Sequence, residues 1–226
     1  MLGNRVKIAH EGLPYIGFAG FFAWLAALLG FTLLSLVLGL LTFFIAFFFR
    51  DPERVAPTGD RSVVSSGDGT VVEVDKALEP HFLNREMSKV GVFLSMLDCH
   101  VNRFPISGKI ITTKHIEGKF FAANLKRASI ENERVATLIE TERGEQVVVV
   151  QIAGFLARRV VSYKNVGDEV EKGERIGMIK FGSRVDVYLP LEFDLAVNKG
   201  EKVTSGETII AWINDVSAKK APAGEG

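Results

Sequence analysis

Cysteine is almost absent from this 226-residue sequence, which contains only Cys99. A single cysteine excludes an internal disulfide and is typical of a reducing compartment. Net charge is also lacking, because 27 lysines and arginines balance 27 aspartates and glutamates. No overall positive field attracts nucleic acid, and we expect no such partner. The sequence also lacks a phosphate-binding loop, a metal-ligand cluster and a dinucleotide fingerprint, so we expect no metal site.

A long apolar run stands out against this balanced composition. The 35 positions 15–49 carry no charge and are rich in phenylalanine, leucine, alanine and glycine. A signal peptide has a much shorter apolar centre, so we expect this segment to stay attached. One straight helix of this length would measure ~52 Å, against a hydrocarbon core of ~30 Å. Two short helices that turn near Gly30 or Gly39 fit better, as a hairpin or as a re-entrant pair embedded in the interface.

Basic residues flank the apolar run on both sides. Arg5 and Lys7 precede it, and Arg50 and Arg54 follow it. By the positive-inside rule both ends should face the cytoplasm. We therefore expect residues 1–50 to form a membrane anchor that holds the rest of the chain on the cytoplasmic face of the cell membrane.

Short apolar runs separated by turn residues fill the chain after the anchor, a pattern typical of β structure. The runs that predict strands include 90–95, 110–114, 134–140 and 146–153. The polar segment 75–89 predicts a loop or a short helix. We expect residues 51–215 to form one mostly β domain of the α+β class, followed by a disordered tail over 216–226.

An internal repeat lies in the last third of the chain. Residues 167–176 and 200–209 share the pattern Gly-x-x-Val-x-x-Gly-x-x-Ile, 33 positions apart. In each copy the glycines should lie at turns while valine and isoleucine point inward. The pattern resembles the half-barrel hammerhead of lipoyl and biotinyl carrier domains. It predicts a β-sandwich or barrel with duplicated hammerhead-like units.

Gly182 and Ser183 interrupt two strand-like runs, 175–179 and 185–190. Glycine adopts backbone angles closed to other residues and leaves its carbonyl group unshielded. The nearest nucleophile to that carbonyl is the Ser183 hydroxyl. Its attack would convert the amide into an ester, and β-elimination would cut the chain between 182 and 183, leaving a pyruvoyl group at residue 183. A plain turn between strands is the alternative interpretation of a Gly-Ser pair.

The Gly-Ser pair belongs to one of three sequence motifs, and the other two precede it in the chain. The three motifs are Phe-Gly-Ser-Arg-Val-Asp at 181–186, Phe-Leu-Ser-Met-Leu-Asp-Cys-His-Val-Asn-Arg at 93–103, and Gln-Ile-Ala-Gly-Phe-Leu-Ala-Arg-Arg at 151–159. With Phe-Arg-Asp-Pro-Glu-Arg at 49–54, they closely resemble the short prokaryotic phosphatidylserine decarboxylase proenzymes. The resemblance implies a self-processing, pyruvoyl-dependent carboxy-lyase of phospholipid biosynthesis, which converts phosphatidylserine to phosphatidylethanolamine and carbon dioxide.

The resemblance also implies the cofactor and the partners. A pyruvoyl group generated from Ser183 would condense with the substrate amine and accept the electrons released as the carboxylate leaves, so pyridoxal phosphate is not needed. Processing implies a large subunit, 1–182, and a small subunit, 183–226, which stay associated because strands from both complete one fold. The membrane phospholipid phosphatidylserine is the expected substrate.

Members of the family cut themselves with an Asp-His-Ser arrangement. Asp98 matches the aspartate of the family's Leu-Ser-x-x-Asp-x-His motif, where it would orient and polarise the base; a turn or helix cap is the alternative. His100 is our first choice as base, because on an extended backbone it shares a face with Asp98. His115 is the second, in a segment that resembles the family's His-x-Gly-Lys-Phe with one residue inserted. Longer relatives carry the histidine in a later β segment, but 147–153 contains none.

Binding the lipid requires a cation for its phosphodiester, a task that suits the fork of an arginine. The candidates inside the matching motifs are Arg103, Lys119, Arg158, Arg159 and Arg184. We select Arg103 and Arg184 as the substrate-binding pair. A solvated surface charge is the alternative for each of them.

Two other functions explain parts of the sequence. A non-enzymatic, membrane-anchored adaptor or carrier with hammerhead repeats explains the anchor and the repeat. It does not explain 98–100 or the break at 182–183, and Lys172 lacks the surroundings typical of a carrier lysine. A pyruvoyl decarboxylase for a soluble amino acid would have no use for the anchor.

Overall fold

A computed structural model describes residues 6–119, 121, 128–154, 160–179 and 182–214 of the protein. The elements within these ranges are β1 (Val6–Ile8), a 3-10 helix (His10–Gly12), α1 (Leu13–Leu28), α2 (Thr32–Phe48), β2 (Arg50–Pro52), β3 (Ser62–Val64), β4 (Gly69–Glu79), β5 (Arg85–Leu94), β6 (Val101–Arg103), β7 (Gly108–Ile116), α3 (Ala128–Glu131), β8 (Arg134–Glu140), β9 (Gln146–Ile152), β10 (Val160–Ser162), β11 (Glu169–Val170), β12 (Arg175–Ile179), β13 (Ser183–Leu189), β14 (Asp194–Leu195), β15 (Lys202–Val203) and β16 (Ile209–Trp212). The prediction of a mostly β protein with an apolar helical N-terminus is confirmed. The predicted tail, 216–226, lies outside the described residues.

Helices α1 and α2 form a hairpin that turns at residues 29–30. Pro14 lies in the first turn of α1, where its missing N–H has no helical partner to lose. The Ser35 hydroxyl in α2 donates a hydrogen bond to the carbonyl oxygen of Ala23 in α1 at 3.0 Å. Large apolar side chains point outward from both helices, among them Phe18, Leu33, Leu40 and Phe43. Such a surface is unsuited to water and suited to lipid.

One helix in the described part of the chain is long and apolar enough to cross a membrane by length and composition. It spans His10–Leu28, 19 residues with a mean hydropathy of 1.3. This span joins the 3-10 helix to α1, and α2, which is also apolar, is shorter than the span at 17 residues. The pair occupies the positions predicted to form the anchor, and anchoring itself stays a prediction.

The β domain is built around an eight-stranded sheet with the strand order β11-β7-β8-β9-β13-β5-β4-β15. Every pair of neighbours in it is antiparallel. Two three-stranded sheets, β10-β12-β6 and β14-β16-β3, pack on one face. Strand β13 lies near the centre of the large sheet, between β9 and β5, so both of its edges are paired.

Alternation along the strands divides the apolar side chains between two clusters. The main core lies between the large sheet and the small sheets and includes Val185 and Val187 of β13. A second cluster covers the opposite face and includes Tyr188. Consecutive residues of β13 therefore face different environments, as the period of a strand requires.

The interpretation of 75–89 as a loop or short helix is wrong. Strand β4 continues to Glu79, and β5 begins at Arg85. The buried Glu79 carboxylate accepts hydrogen bonds from the backbone N–H groups of residues 81–83 at 2.7 to 3.0 Å. It thereby closes a short turn, which lets two polar strands pair over their full length.

Both copies of the sequence repeat fold as a short strand followed by a longer one. The first copy forms β11 and the start of β12, and the second forms β15 and the start of β16. Their partners differ, since β11 and β12 pair with β7 and β6, whereas β15 and β16 pair with β4 and β3. The hammerhead interpretation stays a prediction.

Candidate active site

Ser183 is the first residue of β13 and lies opposite Leu94, the last residue of β5. Its side chain points to the main core and is fully buried. Its hydroxyl finds no hydrogen-bond partner among the described residues. Burying a hydroxyl without a partner costs about 1–3 kcal/mol, so such a group is uncommon and calls for a reason.

Gly182, directly before this serine, has a left-handed backbone with φ of +57°. An added Cβ would meet open space, so the requirement for glycine here comes from the backbone angle alone. The Gly182 N–H donates a hydrogen bond to Nε2 of His100 at 3.3 Å. The structure thus brings His100 to the residue directly before the peptide bond that the sequence marks as scissile.

The contacts of His100 determine its tautomer. Nδ1 lies 3.0 Å from the carbonyl oxygen of Asp98, which only accepts hydrogen bonds. Nε2 lies next to the Gly182 N–H, which only donates. The imidazole therefore carries its proton on Nδ1 and directs a lone pair from Nε2 towards the Gly182–Ser183 segment.

Burial keeps this imidazole neutral. The His100 side chain is fully buried, and the Phe48 ring lies against it with the ring centroids 4.4 Å apart. Loss of hydration disfavours the charged form and lowers the pKa of His100 to about 4. At neutral pH the ring is therefore uncharged, and its Nε2 lone pair accepts the Gly182 N–H. Phe48 ends α2, so the apolar hairpin forms one wall of the site.

Asp98 contributes to the site mainly through its main chain. Its carboxylate accepts hydrogen bonds from the N–H and the hydroxyl of Ser95, at 2.8 and 2.6 Å. These bonds close a turn from 95 to 98, while the Asp98 carbonyl oxygen orients His100. The expectation that the two side chains share a face rested on an extended backbone, which the turn replaces. The carboxylate still raises the pKa of His100 electrostatically, against the larger effect of burial.

His115 lies elsewhere in the large sheet. It sits on β7 opposite Val135 of β8. Strand β7 is separated from β13 by β8 and β9, about 14 Å in all at the usual strand spacing. The half-exposed His115 ring is 3.2 Å from the Glu133 carboxylate. The structure does not bring His115 together with Ser183.

Arg184 faces away from Ser183, on the opposite side of the sheet. Its guanidinium is 1% exposed and bonded to the carboxylates of Asp186, at 2.5 Å, and of Glu73. Lys89 bonds to the same two carboxylates at 3.1 and 3.2 Å. The Ser129 hydroxyl completes this buried network through Asp186. We call these residues the charge network.

Arg103 ties the β domain to the segment that follows the hairpin. Its guanidinium lies 3.2 Å from the Asp51 carboxylate and donates to the carbonyl oxygens of Pro52 and Gly173 at 2.8 Å. Asp51 also binds Arg175 at 2.6 Å. These contacts fix the direction in which the hairpin leaves the domain.

Of the remaining cationic candidates, Lys119 is among the described residues. Lys119 is exposed and lies 3.1 Å from the Glu131 carboxylate. Arg158 and Arg159 lie outside the described residues. Among those that are described, no group of three or more His, Cys, Asp or Glu side chains is placed to hold a metal ion.

Sequence reasoning missed three residues that shape this site. Phe48 covers His100, Ser95 holds the Asp98 carboxylate, and Asp51 binds two arginines. Phe48 looked like one more apolar residue of the anchor. Ser95 and Asp98, three positions apart, carry the spacing of a turn closed by a side chain, and that signal was available.

The sequence of this chain also matches a known protein family. A family model described as phosphatidylserine decarboxylase matches residues 41–211, which include β13, the 95–98 turn and the end of α2. The chain therefore belongs to the phosphatidylserine decarboxylase family.

Individual relatives carry a more specific name and match nearly from end to end. The chain is 42% identical over 210 residues to the phosphatidylserine decarboxylase proenzyme of Geotalea uraniireducens, covering 93% of this chain and 98% of the relative. It is 44% identical over 218 residues to the protein of that name from Geobacter metallireducens, covering 94% and 100%. The Geobacter sp. strain M21 protein of the same name is 45% identical over 216 residues, covering 93% and 98%.

Proposed function

We propose that the chain is a proenzyme that cuts itself between Gly182 and Ser183 and then decarboxylates phosphatidylserine to phosphatidylethanolamine and carbon dioxide. The observation that carries the proposal is a buried hydroxyl with no partner among the described residues, directly after a left-handed glycine to which a neutral imidazole is bonded. Membership of the family supports the same reaction. Neither a plain turn nor a carrier domain would need a histidine bonded to the glycine before a buried serine.

Self-cleavage begins when the Ser183 oxygen attacks the carbonyl carbon of Gly182. The carbon–nitrogen bond breaks, an ester forms, and the nitrogen of residue 183 becomes a free amine. Removal of the Cα proton of residue 183 then breaks its Cβ–Oγ bond, and the chain ending at Gly182 leaves as a carboxylate. The dehydrated residue that remains tautomerises, and water releases its nitrogen as ammonia, so that residue 183 ends as a pyruvoyl group.

His100 is the base in this proposal. A serine hydroxyl must lose its proton to attack efficiently, and a neutral imidazole with a directed lone pair is suited to take it. The Nδ1–H bond to the Asp98 carbonyl holds the ring in the required tautomer. Asp98 thus acts as a positioning residue, assisted by Ser95. His115 stays the second choice, and its distance from β13 weighs against it.

The surroundings of Ser183 suit a pyruvoyl group. Its small side chain ends in a buried space with an unpaired polar atom, and a ketone oxygen is of similar size and polarity. A pyruvoyl group supplies an electron sink for the carboxylate that leaves an amino acid. Phe48 excludes water on one side of the site, which favours proton delivery from a defined group over random exchange with solvent.

The hairpin gives the reaction its location. An exposed apolar hairpin that ends at the candidate base supports a tethered enzyme whose substrate is a membrane lipid. We propose that residues 1–50 form the anchor and that residues 51–215 work on the cytoplasmic face of the membrane. After the cut, 1–182 and 183–226 form the large and small subunits.

The lipid phosphate requires a cation, and the predicted pair is already engaged. Arg103 and Arg184 are buried, and each bonds to at least one carboxylate. A phosphodiester would have to displace those carboxylates, which a buried pair resists. Their substrate-binding role stays a prediction, and their contacts support a role in holding the fold.

Intact mass spectrometry of the purified chain beside a Ser183→Ala variant tests the proposal. We expect the wild type to separate into a fragment that ends at Gly182 and a fragment that begins with a pyruvoyl-blocked residue 183, while the variant stays whole. A wild type that folds and remains uncut would overturn self-processing and favour the adaptor or carrier.

A second assay addresses the substrate of the processed protein. Release of carbon dioxide from phosphatidylserine in mixed micelles is compared with release from free serine and other soluble amino acids. We expect turnover of the lipid alone. Preferential turnover of a soluble amino acid would favour the alternative pyruvoyl decarboxylase.

A further inference from the structure

The turn that carries Asp98 ends in two exposed apolar side chains. Met96 is 40% exposed and Leu97 is 65% exposed. The hydrogen bonds between Ser95 and Asp98 close the turn on both sides of them and fix them outward. We call Met96 and Leu97 the apolar tip. The hydrogen bonds of the turn keep the apolar tip exposed, and contact of these apolar side chains with water is unfavourable in free energy.

The apolar tip lies beside the end of the hairpin. One Nη atom of Arg50 donates to the Leu97 carbonyl oxygen at 2.6 Å, and the other donates to the Phe47 carbonyl oxygen at 2.9 Å. The same guanidinium lies 4.0 Å from the centroid of the Phe47 ring. Arg50 therefore joins the tip to the last turn of α2. The exposed side chains of Phe47 and Leu97 thus belong to residues that one guanidinium holds together.

An arginine beside apolar side chains is typical of a membrane boundary. Its guanidinium favours the phosphate layer while its neighbours favour the hydrocarbon below. Arg50 has this arrangement with Phe47 on one side and Leu97 on the other. The tip and the end of α2 would meet a flat bilayer at the same depth.

We propose that the apolar tip inserts into the bilayer beside α2 and holds the candidate base at the lipid surface. The inference rests on the proposed function, since it concerns access of a lipid substrate to that same site. Two hydrogen bonds connect the tip to the scissile segment, from His100 to the Asp98 carbonyl oxygen and from Gly182 to His100. A headgroup next to the tip would thus lie next to Ser183 without leaving the membrane surface.

A fluorescent probe at the tip tests insertion directly. The full chain is prepared with Leu97→Trp in a background of Trp24→Phe and Trp212→Phe, and inserted into phosphatidylcholine vesicles with acyl chains brominated near the headgroup. We expect strong quenching and a blue-shifted emission. The control is Leu78→Trp in the same background, because Leu78 is 56% exposed and lies opposite Glu86, at the far end of β5 from the tip.

Quenching of Leu97→Trp no stronger than that of Leu78→Trp would overturn the inference. The measurement is repeated in a Ser183→Ala background, where no cleavage is expected. Insertion of the tip therefore stands or fails independently of the proposed reaction.

A charged tip tests the consequence for the substrate. We expect Leu97→Asp to lower kcat/KM about tenfold on phosphatidylserine in vesicles, mainly through KM, because a buried carboxylate opposes insertion. On short-chain phosphatidylserine dispersed as monomers it should equal the wild type, and Leu78→Asp should equal the wild type in both assays. An equal loss on both substrates would mean that the tip serves catalysis or folding and would overturn a membrane role.

Discussion

The polar groups on the two faces of β13 differ in how completely they are hydrogen-bonded. On one face the Ser183 hydroxyl lies in the main core without a partner among the described residues. On the other face Arg184 and Asp186 belong to the charge network, in which each charge contacts one of opposite sign. Strong buried bonds therefore hold the strand in place on one side, while the hydroxyl proposed to react on the other side has no partner among the described residues.

The largest effect is expected on the serine face, at His100. We expect His100→Gln to slow self-cleavage about 100-fold to 10,000-fold, the usual contribution of a general base. Cell-free synthesis into lipid nanodiscs, followed by denaturing gels over time, measures the uncut fraction. Cleavage at the wild-type rate would remove His100 from the reaction.

The pH dependence of cleavage provides the control for this assignment. Only the neutral imidazole accepts a proton, and burial lowers the pKa of His100 to about 4. Cleavage should therefore persist well below the ordinary histidine pKa of about 6.5 and decline only as the pH falls through about 4. A decline centred on the ordinary value would mean that His100 is solvated when it acts.

On the opposite face, Arg184→Met should affect stability first. It leaves Lys89 as the remaining cation of the charge network beside the Glu73 and Asp186 carboxylates, and loss of one partner from a buried ionic network costs about 3–5 kcal/mol. Denaturant unfolding is measured in a Ser183→Ala background, so that the chain stays in one piece.

Adding Glu73→Gln to Arg184→Met removes the surplus negative charge and should recover part of the loss. The double variant thus separates an unpaired charge from lost packing. No recovery would mean that the network stabilises β13 by packing alone.

A smaller effect on stability is expected at Gly182, which directly precedes β13. Its left-handed backbone should make Gly182→Ala cost about 1–2 kcal/mol, as should Gly144→Ala, which has φ of +84° and open space around it. Only the change at Gly182 should also slow cleavage. Equal cleavage rates in the two variants would show that the angle before Ser183 serves the turn and not the reaction.

The smallest effect is expected at His115. Its ring is half exposed beside Glu133, and exposed ion pairs contribute at most about 1 kcal/mol. We expect His115→Gln to leave both the cleavage rate and the unfolding midpoint close to those of the wild type. A large loss of cleavage would make His115, and not His100, the first candidate for the base.

The sequence predicts the parts of this fold that depend on pattern. Charge depletion over 15–49 predicts apolar helices, and the short apolar runs predict a mostly β domain. The motif around Gly182 and Ser183 predicts the position of the site. These features depend on composition and spacing, which the sequence displays directly.

What the sequence does not reveal depends on individual contacts, some within a turn and others between distant residues. Glu79 makes a hairpin out of a polar segment, and Phe48 covers a histidine 52 positions later. The direction of a side chain at the start of a strand separates Ser183 from Arg184, and adjacent letters do not show it. The two arginines predicted to bind lipid are bonded to carboxylates far from them in the chain, Arg103 to Asp51 and Arg184 to Glu73, and the sequence shows neither contact.

The central position of β13 has a consequence for refolding. Both of its neighbours, β5 and β9, precede the proposed cut, and β15 and β16 likewise pair with β4 and β3 from before it. The uncut chain folds in one unimolecular step, whereas two separated pieces would have to find each other and insert a strand between two others. Cleavage would thus remove the effective concentration that the peptide bond supplied. The mature protein would therefore be kinetically stable. It would stay folded because it unfolds slowly, since the cleaved chain would not refold efficiently once this sheet had come apart.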